Sequence, residues 1–359
     1  MFGLEKIFSS APKSILGVDV GTTSIKIAQL EKGKNNPRLV NYGLLESYGH
    51  FERANNVIQA NSLKISEKDA MALLKILLGK VKFSTRDALA SIPAFAAFVT
   101  LVEMPQMNDE ETRKAMAFQL KQSVPLPLSE IAVDWINVGE RDDENGFTKQ
   151  QILIIAIPNE TIAKYKSIFK GVGLSLRALE IENLACARAI VGADTTSTII
   201  VDIGARSTSL SVLDQGFLKY ASQIDYAGDT LTQSVVKGLG ISYRRAEELK
   251  KQRGLSGGMG EYELSTLQTP FVDAILQEVV KVKDHVTRAL GITVARVLLV
   301  GGGSNLIGLE EYANQQLGVP TALGNGLLYV AAPSEASIVS RELGTRFATA
   351  IGLGIKNFI

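Results

Sequence analysis

Apolar and polar residues follow one pattern twice along this chain. From Ser14 the run SILGVDVG is almost wholly apolar up to Asp19 and closes on Gly21. TSIKIAQLEKG then alternates, with Ile25, Ile27 and Gln29 on one side. The same order returns about half a chain later, where STIIVDIG leads to Gly204 and STSLSVLDQG alternates through Leu210 and Val212. Period-two runs flanking a glycine-containing turn predict β-hairpins. Laid in register, Val18–Gly33 and Val201–Gly216 share Val, Asp, Gly, Ser, Leu and Gly at matching offsets. A duplicated device of this kind predicts two similar lobes facing each other across a cleft.

Between the copies the pattern changes. AAFVTLVEMP is strand-like, and NDEETRKAMAFQLKQSV runs helical from Asn108 as N-cap, with acidic residues in its first turn. QQILIIAIP reads as a buried strand, and NETIAKYKSIFKGVG as a helix closed by Gly171 or Gly173. Asp142–Gly146, DDENG, is a polar hairpin turn. Strands and helices in alternation predict a compact α/β module. Late in the chain, Val297–Val300 form a short buried strand, followed by Gly301, Gly302 and Gly303, with Ser304 and Asn305 as the expected cap of the helix LIGLEEYANQQLG.

These turns carry the candidate chemistry. Gly21 and Gly204 let the backbone approach a ligand with no Cβ in the way. Thr22, Thr23 and Ser24 in one copy, and Arg206, Ser207 and Thr208 in the other, present donors that suit phosphate oxygens. Each hydrogen bond to a charged group is worth roughly 1.5–3 kcal/mol. Asp19 and Asp202 would repel a bare phosphate, but make sense with a Mg²⁺ between them and the phosphates. Lys26 belongs to the same candidate set. Strand, glycine turn and helix N-terminus at Gly301, Gly302, Gly303 and Ser304 form a platform for a purine or phosphate. The spacing G-x-G-x-x-G is not cleanly present, and the P-loop Gly-Lys-Ser/Thr is absent.

Composition narrows the field. With 359 residues the chain is long enough for two or more domains with sizeable cores. A net charge of +1 argues against a bulk nucleic-acid binder. Cys186 stands alone, so no disulfide framework is available and the cytoplasm is the expected compartment; it reads as a small buried helix residue. His50 and His285 have no cluster of further ligands around them. No apolar run reaches the roughly 18–20 residues that span a bilayer. Phe2, Leu4, Ile7 and Phe8 form a short apolar stripe, expected in a tail folded back on its own domain or mobile, ahead of a membrane or partner contact.

Two D-x-G hairpins, a late G-G-G-S platform and a closing FATAIGLGI resemble the actin-like ATPase superfamily. In detail, LGVDVGTTSIKIAQL, QSVPLPLSEIAVDW, VDIGARSTSLSVL, AGDTLTQSVVKGLGISYRRAEELKKQ and VLLVGGGSNLIGLEEYANQQLGVPT resemble the type IV pilus assembly PilM family, a relative of the division protein FtsA. The resemblance implies an α/β fold of two ribonuclease-H-like lobes with an inserted small α/β subdomain of the FtsA type. The expected division is a tail at 1–12, lobe one at 13–86, the insert at 87–178 and a connecting helix at 179–195. Lobe two follows at 196–228, an outer subdomain at 229–288, lobe two again at 289–335, and a second connecting helix at 336–359.

The resemblance also implies ATP and Mg²⁺ as ligands. Asp19 and Asp202 would serve the metal, Glu182 (Glu180 being the other candidate) would orient water, and Glu247 and Lys250 would reach ribose and adenine, with a surface ion pair as the plain alternative. Gly228 would lie near the γ-phosphate in a turn where relatives carry Gly-Gly and this chain has Ala227-Gly228. Arg206 is bulkier than the usual residue there. The implied role is a cytoplasmic scaffold on the inner-membrane face that takes up the N-terminal tail of PilN in an apolar groove between lobe one and the insert. Further pilus inner-membrane components, motor ATPases and self-association are implied partners, and the rate of ATP turnover stays open. A small-molecule kinase and an FtsA-like filament former are the alternatives; the stop at IGLGIKNFI, without a terminal membrane helix, weighs against the latter.

Overall fold

The computed structural model describes residues 12–47, 65–143, 145–255, 262–332 and 340–359. The expected N-terminal stripe and His50 lie outside the described residues. In chain order the first half comprises β1 (Ser14–Val20), β2 (Ser24–Glu31), β3 (Arg38–Glu46), α1 (Glu67–Lys80), β4 (Asp87–Ile92), β5 (Phe98–Pro105), α2 (Asp109–Ser123), β6 (Ile131–Asp142), β7 (Thr148–Pro158), α3 (Asn159–Gly171), β8 (Ser175–Ile181) and α4 (Glu182–Ile190). The second half continues with β9 (Thr198–Ile203), β10 (Thr208–Asp214), β11 (Phe217–Ile224), α5 (Gly228–Leu239), α6 (Tyr243–Arg253), α7 (Tyr262–Leu290), β12 (Arg296–Val300), α8 (Leu309–Leu317), β13 (Thr321–Leu323), α9 (Ser340–Arg346) and α10 (Ala348–Lys356).

Two five-stranded sheets have one topology, β3-β2-β1-β4-β8 and β11-β10-β9-β12-β13. Each begins with an antiparallel hairpin, β1–β2 or β9–β10, and extends through parallel strands from the first strand of that hairpin. The central strands are buried on both faces, as near-continuous apolar runs require. Leu16, Val18, Ile25 and Ile27 pack under α1 and α3 with Leu73, Leu74 and Phe169. Ile15, Ala28 and Leu30 turn to the opposite face and meet Ala350, Ile351 and Leu353 of α10. Burying each such Leu or Ile stabilises the fold by roughly 1.5–3 kcal/mol.

α10 and α4 form the hub between the lobes. They approach so closely that a Cβ on Gly352 would lie 1.7 Å from the Ala185 carbonyl oxygen. Next to this crossing Glu180 is nearly enclosed: Arg188 donates to both its oxygens (2.7 and 2.8 Å), and Lys356 donates at 3.2 Å. Arg188 also donates to the Gly352 carbonyl (3.0 Å), so one charge cluster ties β8, α4 and α10 together.

The sheet topology redraws two expected boundaries. The three-stranded sheet β5-β7-β6 is separate, but β4 and β8, both inside the expected insert of 87–178, are strands of the first sheet. α3 likewise packs on α1 and β8. An apolar strand reads the same whichever sheet it joins, so the pattern does not reveal the seam. Second, residues 179–181 finish β8, and helix begins only at Glu182. Within the insert, Asn108 caps α2 through a reciprocal pair with Glu111, as its sequence position predicts.

Candidate functional site

The two hairpin turns are the same object built twice. Gly21 N–H donates to the Ser24 carbonyl at 3.0 Å, and Gly204 N–H to the Ser207 carbonyl at 3.0 Å. A Cβ would stand 3.0 Å from that carbonyl oxygen at Gly21 and 2.8 Å at Gly204, so both turns close tightly only on glycine. One residue before each strand end lies the aspartate. Asp19 Oδ1 accepts from Ser91 Oγ and Oδ2 from Lys26 Nζ, both at 2.9 Å. Ser91 had no sequence signal, because β4 reaches Asp19 only through the parallel pairing of β1 and β4.

The charges of the two lobes sense one another across the cleft. Burial opposes the charge on Lys26, but its pairing with Asp19 and the field of Asp202 outweigh that and hold its pKa above the ordinary value. Burial pushes Asp202 up to about 6; Lys26 opposes the rise and Asp19 adds to it. Burial, followed by the charge of Asp202, pushes Glu182 up to about 8. Such clustering of mutually perturbed groups in a cleft is typical of functional sites. Glu182 opens α4 and accepts the Ala94 N–H at 3.0 Å. Glu180, two residues earlier, is instead held below its ordinary pKa: burial opposes this, and the hydrogen bonds and charge of Arg188 prevail. Strand and helix thus give these two acids different tasks.

The glycine platform packs against the second turn. Gly301 has φ +83°, and a Cβ there would lie 2.3 Å from Asp202 Oδ1. Gly302 and Gly303 continue into a short 3-10 turn, Gly303–Asn305. Here the expectation of a cap fails. α8 starts only at Leu309, the buried Ser304 hydroxyl donates to the Gly301 carbonyl (2.8 Å), and Asn305 Nδ2 donates to Thr345 Oγ1 (2.8 Å). Both polar side chains stiffen the glycine turn.

The start of α5 completes the enclosure. Gly228 N–H donates to the Gly204 carbonyl (3.1 Å), and Asp229 N–H to the Ala205 carbonyl (2.7 Å). Beneath this turn Lys250 donates to the Gly228 carbonyl (2.9 Å) and Thr232 Oγ1 (2.8 Å), and pairs with Glu247 at 2.6 Å. All three ammonium protons therefore have partners, and Lys250 braces the Gly228 turn where contact with a sugar was expected. The Glu247–Lys250 ion pair of the plain alternative is thus present, with its lysine buried and not at the surface. Glu247 stays partly accessible. Thr208 also departs from expectation: its hydroxyl donates to the Tyr226 carbonyl (2.7 Å) from a buried strand position. Thr22, Thr23, Ser24, Arg206 and Ser207 remain at the two turns, none of them fully buried.

The donor set suits a magnesium-bound polyphosphate. Among the described residues, no group of three or more His, Cys, Asp or Glu is placed to hold a metal. Mg²⁺ needs only one or two carboxylates when phosphate oxygens and water supply the rest. Asp19 and Asp202 can supply those carboxylates, and at Gly302 no atom lies within 4 Å of where a Cβ would stand.

Beside the first turn lies an apolar pocket of about 220 Å³. Val20, Gly21 and Thr22 line one part; Pro93, Phe95, Ala96, Tyr165 and Ile168 give it an apolar surface, and Glu160, Thr161 and Lys164 add polar groups to the lining.

Two sheets of one topology, each carrying an aspartate-glycine hairpin turned toward the other and joined by the α4–α10 hub, define an actin-like ATPase fold with ribonuclease-H-like lobes. The chain belongs to the family of type IV pilus assembly protein PilM, whose model matches residues 17–358. A solved PilM-PilN type IV pilus biogenesis complex has a similar chain, with TM-score 0.80 and 20% identity, covering 97% of this chain and 99% of that one. MreB5 of Spiroplasma citri, solved bound to ADP, is similar with TM-score 0.51 and 14% identity over 95% of each chain. Cell division protein FtsA of Bacillus subtilis (strain 168) is 21% identical over 342 residues, spanning 84% of this chain and 76% of its own. Among the described residues, no helix is long and apolar enough to cross a membrane.

Proposed function

We propose that this protein is an ATP-binding scaffold of type IV pilus assembly that takes up the N-terminal tail of PilN. The duplicated turn carries the nucleotide half of this reading. Asp19 and Asp202, each one residue before the last of its strand, lie within each other's electrostatic field, as a metal-bridged polyphosphate held from two sides requires. Gly21, Gly204, Gly301, Gly302 and Gly303 would give close backbone approach. Thr22, Thr23, Ser24, Lys26, Arg206 and Ser207 would donate to phosphate oxygens.

The pocket supports the partner half. Its Ile65, Pro93, Phe95 and Ile168 would take the apolar side chains of an extended peptide, and Glu160, Thr161 and Lys164 in the same lining would meet its polar groups. Bound through a partner's tail, the protein would sit at the cytoplasmic face of the inner membrane. Isothermal titration of Mg-ATP into the wild type and the Asp19→Ala/Asp202→Ala variant tests the nucleotide site; binding is expected in the first and at least tenfold weaker in the second. Undiminished uptake by the folded double variant would refute the site. A labelled PilN tail peptide that fails to bind the wild type would refute the partner.

A further inference from the structure

Lys26 is a cation built into the cleft. It stands directly opposite Asp19 in the antiparallel pairing of β1 and β2, so the two side chains share one face of the sheet. Its ammonium donates to Asp19 Oδ2 at 2.9 Å, and the two side chains are only 16% and 11% exposed. Ser91 Oγ donates to the other oxygen at 2.9 Å, so both oxygens of Asp19 are engaged. From the opposite lobe the charge of Asp202 reaches Lys26, and Lys26 in turn favours the ionised form of Asp202. Arg346 also acts on Lys26, but its guanidinium is paired with Glu46 at 2.7 Å and Glu342 at 2.6 Å, which match its charge locally. Lys26 is therefore placed to neutralise two aspartates that face one another across the cleft.

We infer that Lys26 serves the aspartate pair as an internal counter-ion and makes the binding of a divalent cation depend on a polyphosphate. The inference rests on the nucleotide half of the reading above. Two ionised carboxylates against one ammonium leave a single negative charge. That is a weak attraction for Mg²⁺, which dehydrates reluctantly and is ordinarily held through one or two carboxylates together with phosphates. A polyphosphate supplies the missing negative charge, and Lys26 has two further ammonium protons for its oxygens. Loss of the ammonium 2.9 Å from Asp19 would be felt strongly, because little water screens it there. Lys26 thus acts with opposite sign on two ligands: it disfavours the metal alone and favours the metal with nucleotide.

Mn²⁺ alone is the probe. Its binding to the full-length protein without nucleotide is followed at pH 8 by the loss of the free-ion electron paramagnetic resonance signal, and Mg-ATP affinity by calorimetry. Lys26→Met, similar in length and uncharged, should bind Mn²⁺ at least about tenfold more tightly than the wild type and Mg-ATP at least about tenfold more weakly. Lys26→Gln, which still offers Asp19 a donor, should move both affinities in the same directions, and serves where methionine impairs folding. The added Mn²⁺ binding should vanish when Asp19→Ala joins Lys26→Met, which separates the cleft from adventitious metal sites. A purely structural lysine would weaken both ligands or neither, so the opposite signs identify the counter-ion. Unchanged Mn²⁺ affinity in both neutral variants would overturn the inference while wild-type Mg-ATP binding leaves the nucleotide site standing. Added Mn²⁺ binding that persists in the Asp19→Ala/Lys26→Met double variant would overturn it as well. Failure of the wild type to bind Mg-ATP would instead overturn the underlying nucleotide reading.

Discussion

Arg188→Met tests the hub where the two lobes meet. In the wild type the Glu180 side chain is 7% exposed and is held by both terminal nitrogens of Arg188, with Lys356 as a third, longer contact. Methionine would retain most of the aliphatic volume of arginine and remove the fork. Glu180 would keep only the ammonium at 3.2 Å. Removing one partner of a buried ion pair typically costs about 3–5 kcal/mol, because the remaining charge is left without compensation. The lysine places the expectation near the lower end, about 3 kcal/mol, with a further contribution from the lost bond to the Gly352 carbonyl. Urea unfolding followed by circular dichroism measures it. Replacing both charges, Glu180→Leu with Arg188→Met, should recover most of the loss, since a packed apolar pair is often as stable as a buried ionic one. The pH dependence carries a definite sign. The carboxyl of Glu180 is held below its ordinary pKa in the fold. Its contribution is therefore present above the unfolded value, about 4.3, and is lost as pH falls through the lower folded value. The gap between the wild type and Glu180→Gln should close in acid. A single variant within about 0.5 kcal/mol of wild type, or a double variant as unstable as the single, would refute the reasoning.

Two other substitutions probe the cleft and the insert. Asp202→Asn removes an acid whose folded pKa, about 6, is raised by burial, so the ligand-free protein should gain about 1–3 kcal/mol at neutral pH while losing Mg-ATP binding; a lower melting temperature in the absence of ligand would contradict this. Lys219 of β11 is buried and donates to the Val138 carbonyl and Gln151 Oε1, both at 2.6 Å, joining lobe two to the insert. Burial lowers its pKa below 10.5, so between that lowered value and 10.5 the unfolded chain binds more protons and stability should rise with pH. Lys219→Met should flatten that rise in urea titrations between pH 7 and 10.5; an identical slope in both proteins would count against it.

Much of the fold was legible because its signals are local. Period-two alternation around Gly21 and Gly204 identified both hairpins. Asn108 and the acidic residues after it marked the start of α2, and the repeated Val-Asp-x-Gly disclosed the duplication of the lobes. Each of these depends on residues a few positions apart, and so survives without knowledge of the packing. The insert boundary was not legible, because β4 and β5 are both apolar strands and only the hydrogen-bond partners of each reveal its sheet.

The same division holds at the site. Amino-acid order alone determined which residue types could meet a phosphate: two aspartates, three glycine turns and their hydroxyl neighbours. Tertiary structure decided which of their polar groups are already taken. Thr208, Ser304 and Lys250 look like ligand donors in one dimension. In the fold they hydrogen-bond to Tyr226, Gly301 and Gly228, because buried donors must find partners among whatever backbone the packing brings near. It also separated Glu180 from Glu182, placing one in the ionic hub and the other in the cleft beside Ala94. Two residues of sequence carry no such distinction, since the division arises where a strand ends and a helix begins.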